Sequence, residues 1–577
     1  MVRMTAAERK KAEEELAKLV PLNVIGDPIL AHCDVRVKAI YRKSASELPE
    51  FANNWLVLAP PAFNRTAILD AMLLGFRVNH PKSTRRLSRA QRMIALGRIS
   101  RVWVLLPVHI QLLDWLYVAL RSRYVAFRSS VDIKRELQAS YAQIQRGKYR
   151  LLGSPRESHS ECLPIFALSG VGKTTAVKMV LSTLPMIIEH ERVPGTAIGI
   201  AQVVWVFVSC PHNGSVTVLL QGILHWFDFY LDTKYFDEVA SGANSGVWMQ
   251  KVIMVLTHHY TGVLIIDEIH NALKAANRTE LIEFLTTLFN AHCCAFICLG
   301  TPEAENQLKN IWTQRRVSSG GMLPMTPFQP GELWDRFANA LIAIDLQLEP
   351  FEEPEEIRAT LYDLSAGLPA IAKLVWRLSQ YQGIFLEDVK LPEDAGLVVG
   401  LITPDLMKMA AARGLGLVEG MLTAIRNRDY KKIAELTDMA EKKVGAYLAH
   451  WETDAEAERA LDAAEARVLR SAAVADALTD LHVPRIEAEQ YARDVTAGDE
   501  SSSVAQLIRH AIAMYEKSRE QKDSEKTIFA KSTTPVRKSP KRKSPTRTTR
   551  SPKAAPAKAA RGGGTPSSKR TNAASKK

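Results

Sequence analysis

The stretch LPIFALSGVGKTT, residues Leu163–Thr175, decides the fold. A short apolar run, Leu163–Leu168, reads as a strand, a Ser-Gly-Val-Gly turn follows, and Lys173-Thr174-Thr175 opens a helix through Thr183. Strand, glycine turn, Lys-Thr and helix in this order are the layout of a phosphate-binding P-loop. Gly170 and Gly172 allow a tight turn, so the N–H groups of Ser169, Gly170, Val171 and Gly172 can converge on a phosphate. In such a motif Lys173 reaches the β- and γ-phosphates, and Thr174 places its hydroxyl on Mg²⁺. The motif's first glycine, five residues before Gly172, is here Ala167.

Around this stretch strands and helices alternate. Strands are expected at Val203–Ser209, Val263–Asp267, Ala295–Gly300 and, short, at Met322–Met325, with helices at Leu219–Tyr230, Val247–His259, Arg278–Ala291 and Pro302–Trp312. The expected fold class is therefore α/β, a P-loop NTPase parallel sheet flanked by helices. Ligands of such sheets sit at the carboxyl ends of the strands, where the other motif residues fall. Val263–Asp267 is an apolar strand running into Asp267 and Glu268, about 95 residues after the P-loop. Asp267 suits Mg²⁺ through its water shell, and Glu268 suits the activation of a water molecule. Thr301, after Cys298-Leu299-Gly300, fits a sensor of the γ-phosphate; an N-cap before Pro302 is the plainer alternative. Arg315 and Arg316 end the next helix, suited to reach a neighbouring subunit's γ-phosphate.

After Pro330 the pattern is helical only: Glu332–Ile344, Glu355–Ser365 and Leu368–Tyr381 read as a small lid, with the turn Gly367-Leu368-Pro369 at a helix junction and Lys373 or Arg377 as candidates to face the nucleotide. Residues 401–523 read as further helices, Ala- and Glu-rich. The 577-residue chain thus divides into 1–104 (fold unassigned, a partner-contact region), 105–330 (nucleotide-binding α/β domain), 331–400 (lid), 401–523 (helical region) and 524–577 (tail).

The formal charge of +13 is concentrated at one end. Residues 531–577 hold 15 Lys and Arg and no acid, leaving 60 basic and 62 acidic residues before them. A tail so polar and so rich in Pro, Ser and Ala is expected to be disordered and to meet a polyanion, most simply nucleic acid. Lys82–Arg101 is also basic, with apolar residues between the charges, and could lay one helix face on phosphates or on an acidic protein; a solvated face is the alternative. The six cysteines show no CxxC pairing, which speaks against a zinc site or disulfide framework. The charged N-terminus is unlike a signal peptide, and Val102–Leu120, interrupted by Pro107, His109 and Asp114, reads as a buried or amphipathic helix, not a membrane span. A cytoplasmic location is expected.

In order and spacing, ALSGVGKTT, VLIIDEIHNAL, CLGTP, QRRV and SAGLP resemble the AAA+ ATPases of transposition, the TnsC/TniB group. The likeness covers residues 105–385, and IDEIHNAL followed by NRTELIEFL is its most group-specific part. The resemblance implies an ATP- and Mg²⁺-dependent regulator that assembles as a ring or helical filament on double-stranded DNA and links a target-selector protein to the transposase. On this resemblance Ser169–Thr175 and Asp267 bind Mg-ATP, Glu268 activates water, Thr301 senses the γ-phosphate, and Arg315 or Arg316 completes a neighbour's site. Lys274 and Arg278 are then candidates for DNA contact. Two other classes fit the residues: an AAA+ ATPase outside transposition, of the replication-initiation, helicase-loader or signalling kind, and a DNA-binding protein using nucleotide only as an assembly switch.

Overall fold

The computed structural model describes residues 35–41, 48, 51, 54–61, 63–75, 87–126, 160–191, 199–271, 278–307, 320–388, 398–437, 444, 455–497 and 502–532. The charged N-terminus and the tail from 533 lie outside these residues.

The α/β core is a four-stranded parallel sheet. Its strands are Cys162–Phe166 (β2), Ala295–Gly300 (β7), Val263–Asp267 (β6) and Trp205–Ser209 (β5), in that spatial order. β2, β6 and β7 are buried at every position, as a parallel sheet covered on both faces requires. Side chains alternate across the pleat. Leu163, Ile165, Val263, Ile265, Ile297 and Leu299 therefore enter one core, with the helices Pro107–Ala126 and Lys173–Leu181. Phe166, Val206, Val208, Leu264, Ile266 and Phe296 enter the other, with Val216–Leu231, Ser245–His258 and Arg278–Asn290. Ser215 and Asn244 start the first two of these helices by accepting the Val218 and Val247 N–H groups.

Two expectations are corrected. The apolar run Val203–Ser209 is not one strand. Ile200–Val203 (β4) pairs antiparallel with Ile187–His190 (β3), which pairs parallel with Arg36–Lys38 (β1), giving a separate three-stranded sheet in the order β1-β3-β4. At Val204 the chain changes sheets, and β5 continues beside β6. Met322–Met325 is not a strand either: Pro324 has no N–H to give a ladder, and just before it the Gly320 N–H donates to the Cys162 C=O of β2 at 2.8 Å.

The remainder is helical. The lid helices Glu332–Ile342, Pro354–Ser365 and Pro369–Leu386 are followed by Pro404–Gly414, Glu419–Arg426 and Tyr430–Thr437. The long helix Ala455–Asp480 reaches back to two earlier elements: Arg467, 7 % exposed, holds both carboxylate oxygens of Asp70 at 3.1–3.3 Å, and Arg336 of the lid pairs with Asp462 and, at 3.2 Å, with Glu465.

The basic stretch 82–101 is only partly a surface. Ser88 and Gln91 form a capping box that starts the helix Arg89–Ala95. From it Arg92, 3 % exposed, sends two N–H groups to the Glu387 carboxylate at 2.6 and 2.5 Å and one to the Leu346 carbonyl at 3.0 Å. Arg89 bonds the Ile384 carbonyl at 3.0 Å and pairs with Asp388. These cations serve the end of the lid helix, where its unpaired carbonyls favour positive charge.

The chain falls into two units, residues 1–511 and 512–577; of the second, the described residues are helical through Ser532. Cys162, Cys210, Cys293, Cys294 and Cys298 are buried free thiols. Among the described residues no helix is long and apolar enough to cross a membrane, and no group of three or more His, Cys, Asp or Glu could hold a metal ion.

Candidate nucleotide-binding site

The site lies where β2, β6 and β7 end. Gly170 and Gly172 have φ of +88° and +99°, a left-handed backbone that side-chain-bearing residues seldom adopt. Gly172 begins the helix Lys173–Leu181, and no side chain caps that end. Its first N–H groups therefore stay available to an anion, in the direction the helix dipole favours. Lys173 folds back over the loop, its Nζ donating to the carbonyls of Ala167 at 2.7 Å and Leu168 at 3.0 Å. Burial lowers its affinity for the proton below the ordinary lysine value, opposed by the negative charges of Glu268 and Asp267.

Thr174 and Asp267 meet directly. The Thr174 hydroxyl donates to Asp267 Oδ2 at 2.8 Å, while Asp267 Oδ1 accepts the Glu268 N–H at 2.8 Å. Asp267 is 5 % exposed, and its carbonyl accepts the Cys210 N–H at 2.8 Å, fixing the end of β6 to β5. Glu268 sits at φ +57°, an uncommon conformation for a residue with a side chain. It points toward solvent at about half exposure, with Oε2 3.2 Å from His270 Nε2. At the end of β7 the Thr301 carbonyl accepts the Ala304 N–H at 2.9 Å, so the backbone closes the start of Pro302–Gln307. The Thr301 hydroxyl oxygen is buried and has no hydrogen-bond partner among the described residues; the side chain does not act as the cap.

The lid reaches the loop through SAGLP. Ala366 and Gly367 have φ of +51° and +72°, and Gly367 exchanges backbone contact with Phe328, whose N–H donates to the Gly367 carbonyl at 2.8 Å. Three residues later the Ala370 N–H donates to the Gly170 carbonyl at 3.1 Å. Beside this junction lies a cavity of about 430 Å³ lined by Pro107, Val108, Val171, Met325, Phe328 and Pro369, among others. It is mostly apolar and meets the P-loop at Val171, the arrangement expected for a planar base next to a phosphate cradle. Lys373 donates to the Ser100 carbonyl at 3.4 Å, and burial lowers its pKa to about 8.

The structure thus brings together Ser169, Gly170, Val171, Gly172, Lys173, Thr174, Thr175, Asp267 and Glu268, with Thr301 at the end of the neighbouring strand β7. Lys274, Arg315 and Arg316 lie outside the described residues, and Arg278 is placed only as the first residue of its helix. Sequence reasoning missed His270 and the apolar cavity beside Val171. His270 stands two residues after Glu268 in IDEIH, which was the available signal; the cavity wall is apolar and carries no motif.

Residues 156–308 match the family model described as an AAA domain. No curated protein matches the chain. Among solved structures, a RuvB variant of Thermotoga maritima aligns at 14% identity over 55% of this chain and 84% of that one, with a TM-score of 0.26. The ORC1 protein of Aeropyrum pernix in complex with DNA aligns at 14% identity over 55% and 81%, TM-score 0.31. The Walker-type ATPase of Pyrococcus abyssi aligns at 14% identity over 57% and 86%, TM-score 0.32. The domain at 156–308 is an AAA+ P-loop ATPase domain.

Proposed function

We propose that this domain hydrolyses ATP to ADP and phosphate, and that the chain is an ATP-dependent regulator of DNA transposition that assembles on double-stranded target DNA. The observation that carries the first part is the junction of Thr174, Asp267 and Glu268 in front of an uncapped helix start. The N–H groups of the P-loop and Lys173 hold the phosphates, Lys173 exchanging the two carbonyls it now bonds for phosphate oxygens. Thr174 and Asp267 suit Mg²⁺, because a hydroxyl and a carboxylate are the oxygen donors a hard cation takes. When bound, Mg²⁺ supplies positive charge that screens the phosphate oxygens. Glu268 takes a proton from the water that attacks the γ-phosphorus, and ADP leaves. The Thr301 hydroxyl, buried and without a hydrogen-bond partner among the described residues, can bond the γ-phosphate or that water. Arg315 or Arg316 from a neighbouring copy stabilises the transferred phosphoryl group, which makes the site whole only in an oligomer.

The second part rests on the order of the motifs from ALSGVGKTT to SAGLP and on the basic tail. In this reading a ring or filament of this protein grips duplex DNA through Lys274, Arg278 and the tail. It links a target-selector protein to the transposase, and hydrolysis dismantles it.

Glu268→Gln tests the chemistry: ATP binding persists and turnover falls at least about a hundredfold; unchanged turnover removes Glu268 from its role. Electron microscopy and sedimentation with duplex DNA test the assembly. A protein that stays single and ignores DNA with and without ATP refutes it. Stimulated helicase deposition, with no dependence of a transposase on this protein, replaces the transposition reading with a replication one.

A further inference from the structure

We propose that His270 is a positioning residue that holds the Glu268 carboxylate in place for water activation. The inference rests on the hydrolytic reading above and adds a residue to it. Its basis is the turn Asp267–Asn271, which is fixed on every side except at the Glu268 side chain. Asp267 is tied to Thr174, to the Cys210 N–H and to the Glu268 N–H. Ile269 is fully buried, and its N–H donates to the Leu299 carbonyl of β7 at 3.0 Å. The Asn271 N–H donates to the Glu268 carbonyl at 3.0 Å, and its side-chain amide to the Cys210 carbonyl at 3.4 Å. These bonds hold Glu268 in its left-handed backbone conformation, a local strain that persists only where the surroundings impose it.

The Glu268 side chain itself has three rotatable bonds and about half its surface in water. A carboxylate free to rotate spends most of its time away from any one direction. Among the described residues the ion-pair partner of that carboxylate is His270, whose Nε2 lies 3.2 Å from Oε2 and whose side chain is 14% exposed. The partner is therefore much less mobile than the group it bonds. With a proton on Nε2, this contact at 3.2 Å engages Oε2 and restricts rotation of the carboxyl group. Oε1 and the second lone pair of Oε2 remain to accept a proton from water. His270 touches no phosphate and no metal in this scheme; it acts through Glu268.

The test uses the full-length protein under the conditions in which the parent hydrolyses ATP. His270→Ala is expected to lower kcat by about tenfold or more, the scale on which loss of alignment slows an otherwise intact site. KM for ATP and the affinity for a non-hydrolysable ATP analogue stay within about twofold. His270→Gln, whose amide N–H can occupy the position of Nε2–H, restores most of kcat. In the Glu268→Gln background, His270→Ala changes the residual rate by less than twofold, because its route of action is already gone. Full kcat in His270→Ala, with Glu268→Gln inactive, overturns this inference and leaves the hydrolytic reading standing. A His270→Ala loss that His270→Gln does not restore, or that comes with weaker analogue binding, also overturns it, showing a structural role for the imidazole. Full turnover in Glu268→Gln overturns the hydrolytic reading itself.

Discussion

Gly367→Ala probes the join between lid and P-loop. A Cβ on Gly367 would stand 2.1 Å from the Phe328 carbonyl oxygen and 3.0–3.1 Å from the Phe328 carbonyl carbon and nitrogen. Ordinary contact begins near 3.4 Å, so the two backbones must separate by about 1 Å, and neither is a side-chain end that can swing aside. Three costs add. An alanine at φ +72° costs about 1–2 kcal/mol. Stretching the 2.8 Å bond from Phe328 N–H to the Gly367 carbonyl costs about 1 kcal/mol. Residual crowding adds about 1 kcal/mol. A total of about 3–4 kcal/mol should appear as a lower midpoint in urea. Gly242→Ala is the matched control: φ is +80° there, nothing lies within 4 Å of the added atom, and the backbone cost of about 1–2 kcal/mol stands alone. The displacement also reaches Ala370, three residues on, whose N–H bonds Gly170. Titration with a fluorescent ATP analogue should show affinity falling about tenfold in Gly367→Ala and unchanged in Gly242→Ala. Equal losses of stability in the two variants would refute the steric argument, and unchanged nucleotide affinity would refute the coupling of the lid turn to the loop.

Arg92→Met leaves Glu387, 11% exposed at its side chain, without its bidentate partner. Breaking a buried pair from one side costs about 3–5 kcal/mol, measurable as a urea midpoint shift, and the double variant Arg92→Met/Glu387→Leu should recover part of it. Burial lowers the pKa of both His109 and His259 to about 3, with His258 adding to the effect at His259. Between about pH 6.5 and 3 the unfolded chain therefore binds protons that the folded chain refuses, so stability falls as the pH drops through that window. Urea midpoints at pH 7 and pH 5 should show this fall. Deleting residues 531–577 should weaken duplex binding most at low salt and flatten the salt dependence, because up to 15 cations are lost; equal affinity at every salt concentration would remove the tail from DNA contact.

The centre of the sheet was legible in the sequence because β2, β6 and β7 are continuous apolar runs, β6 ending on acid and β7 on glycine, and β7 was read to its terminal residues. Val203–Ser209 defeated the same reasoning: two strands of different sheets abut at Val204 with apolar residues on both sides, so nothing in the composition marks the change. β1 and β3, three and four residues long, are too short for a period to show. Lys82–Arg101 looked like a surface for a polyanion because the partners of Arg89 and Arg92 lie almost 300 residues away, and only folding brings them together. That Lys173, Thr174, Asp267 and Glu268 would meet at the strand ends was legible from spacing, since each follows directly on a strand or turn of the sheet's centre. The cavity beside Val171 was not, since its wall is assembled from Pro107–Val108, Met322–Phe328 and Pro369, three distant stretches of ordinary apolar residues.

The helix Pro369–Leu386 is pinned at both extremities, by Ala370 to the Gly170 carbonyl and by its closing turn to Arg89 and Arg92. Eighteen residues of α-helix span about 27 Å, and a hydrogen-bonded rod of that length bends little. It joins the backbone of the P-loop at one end to the Arg89 and Arg92 contacts at the other. Arg89 and Arg92, read from the sequence as part of a basic face, are thus anchors of the helix whose first turn meets the P-loop.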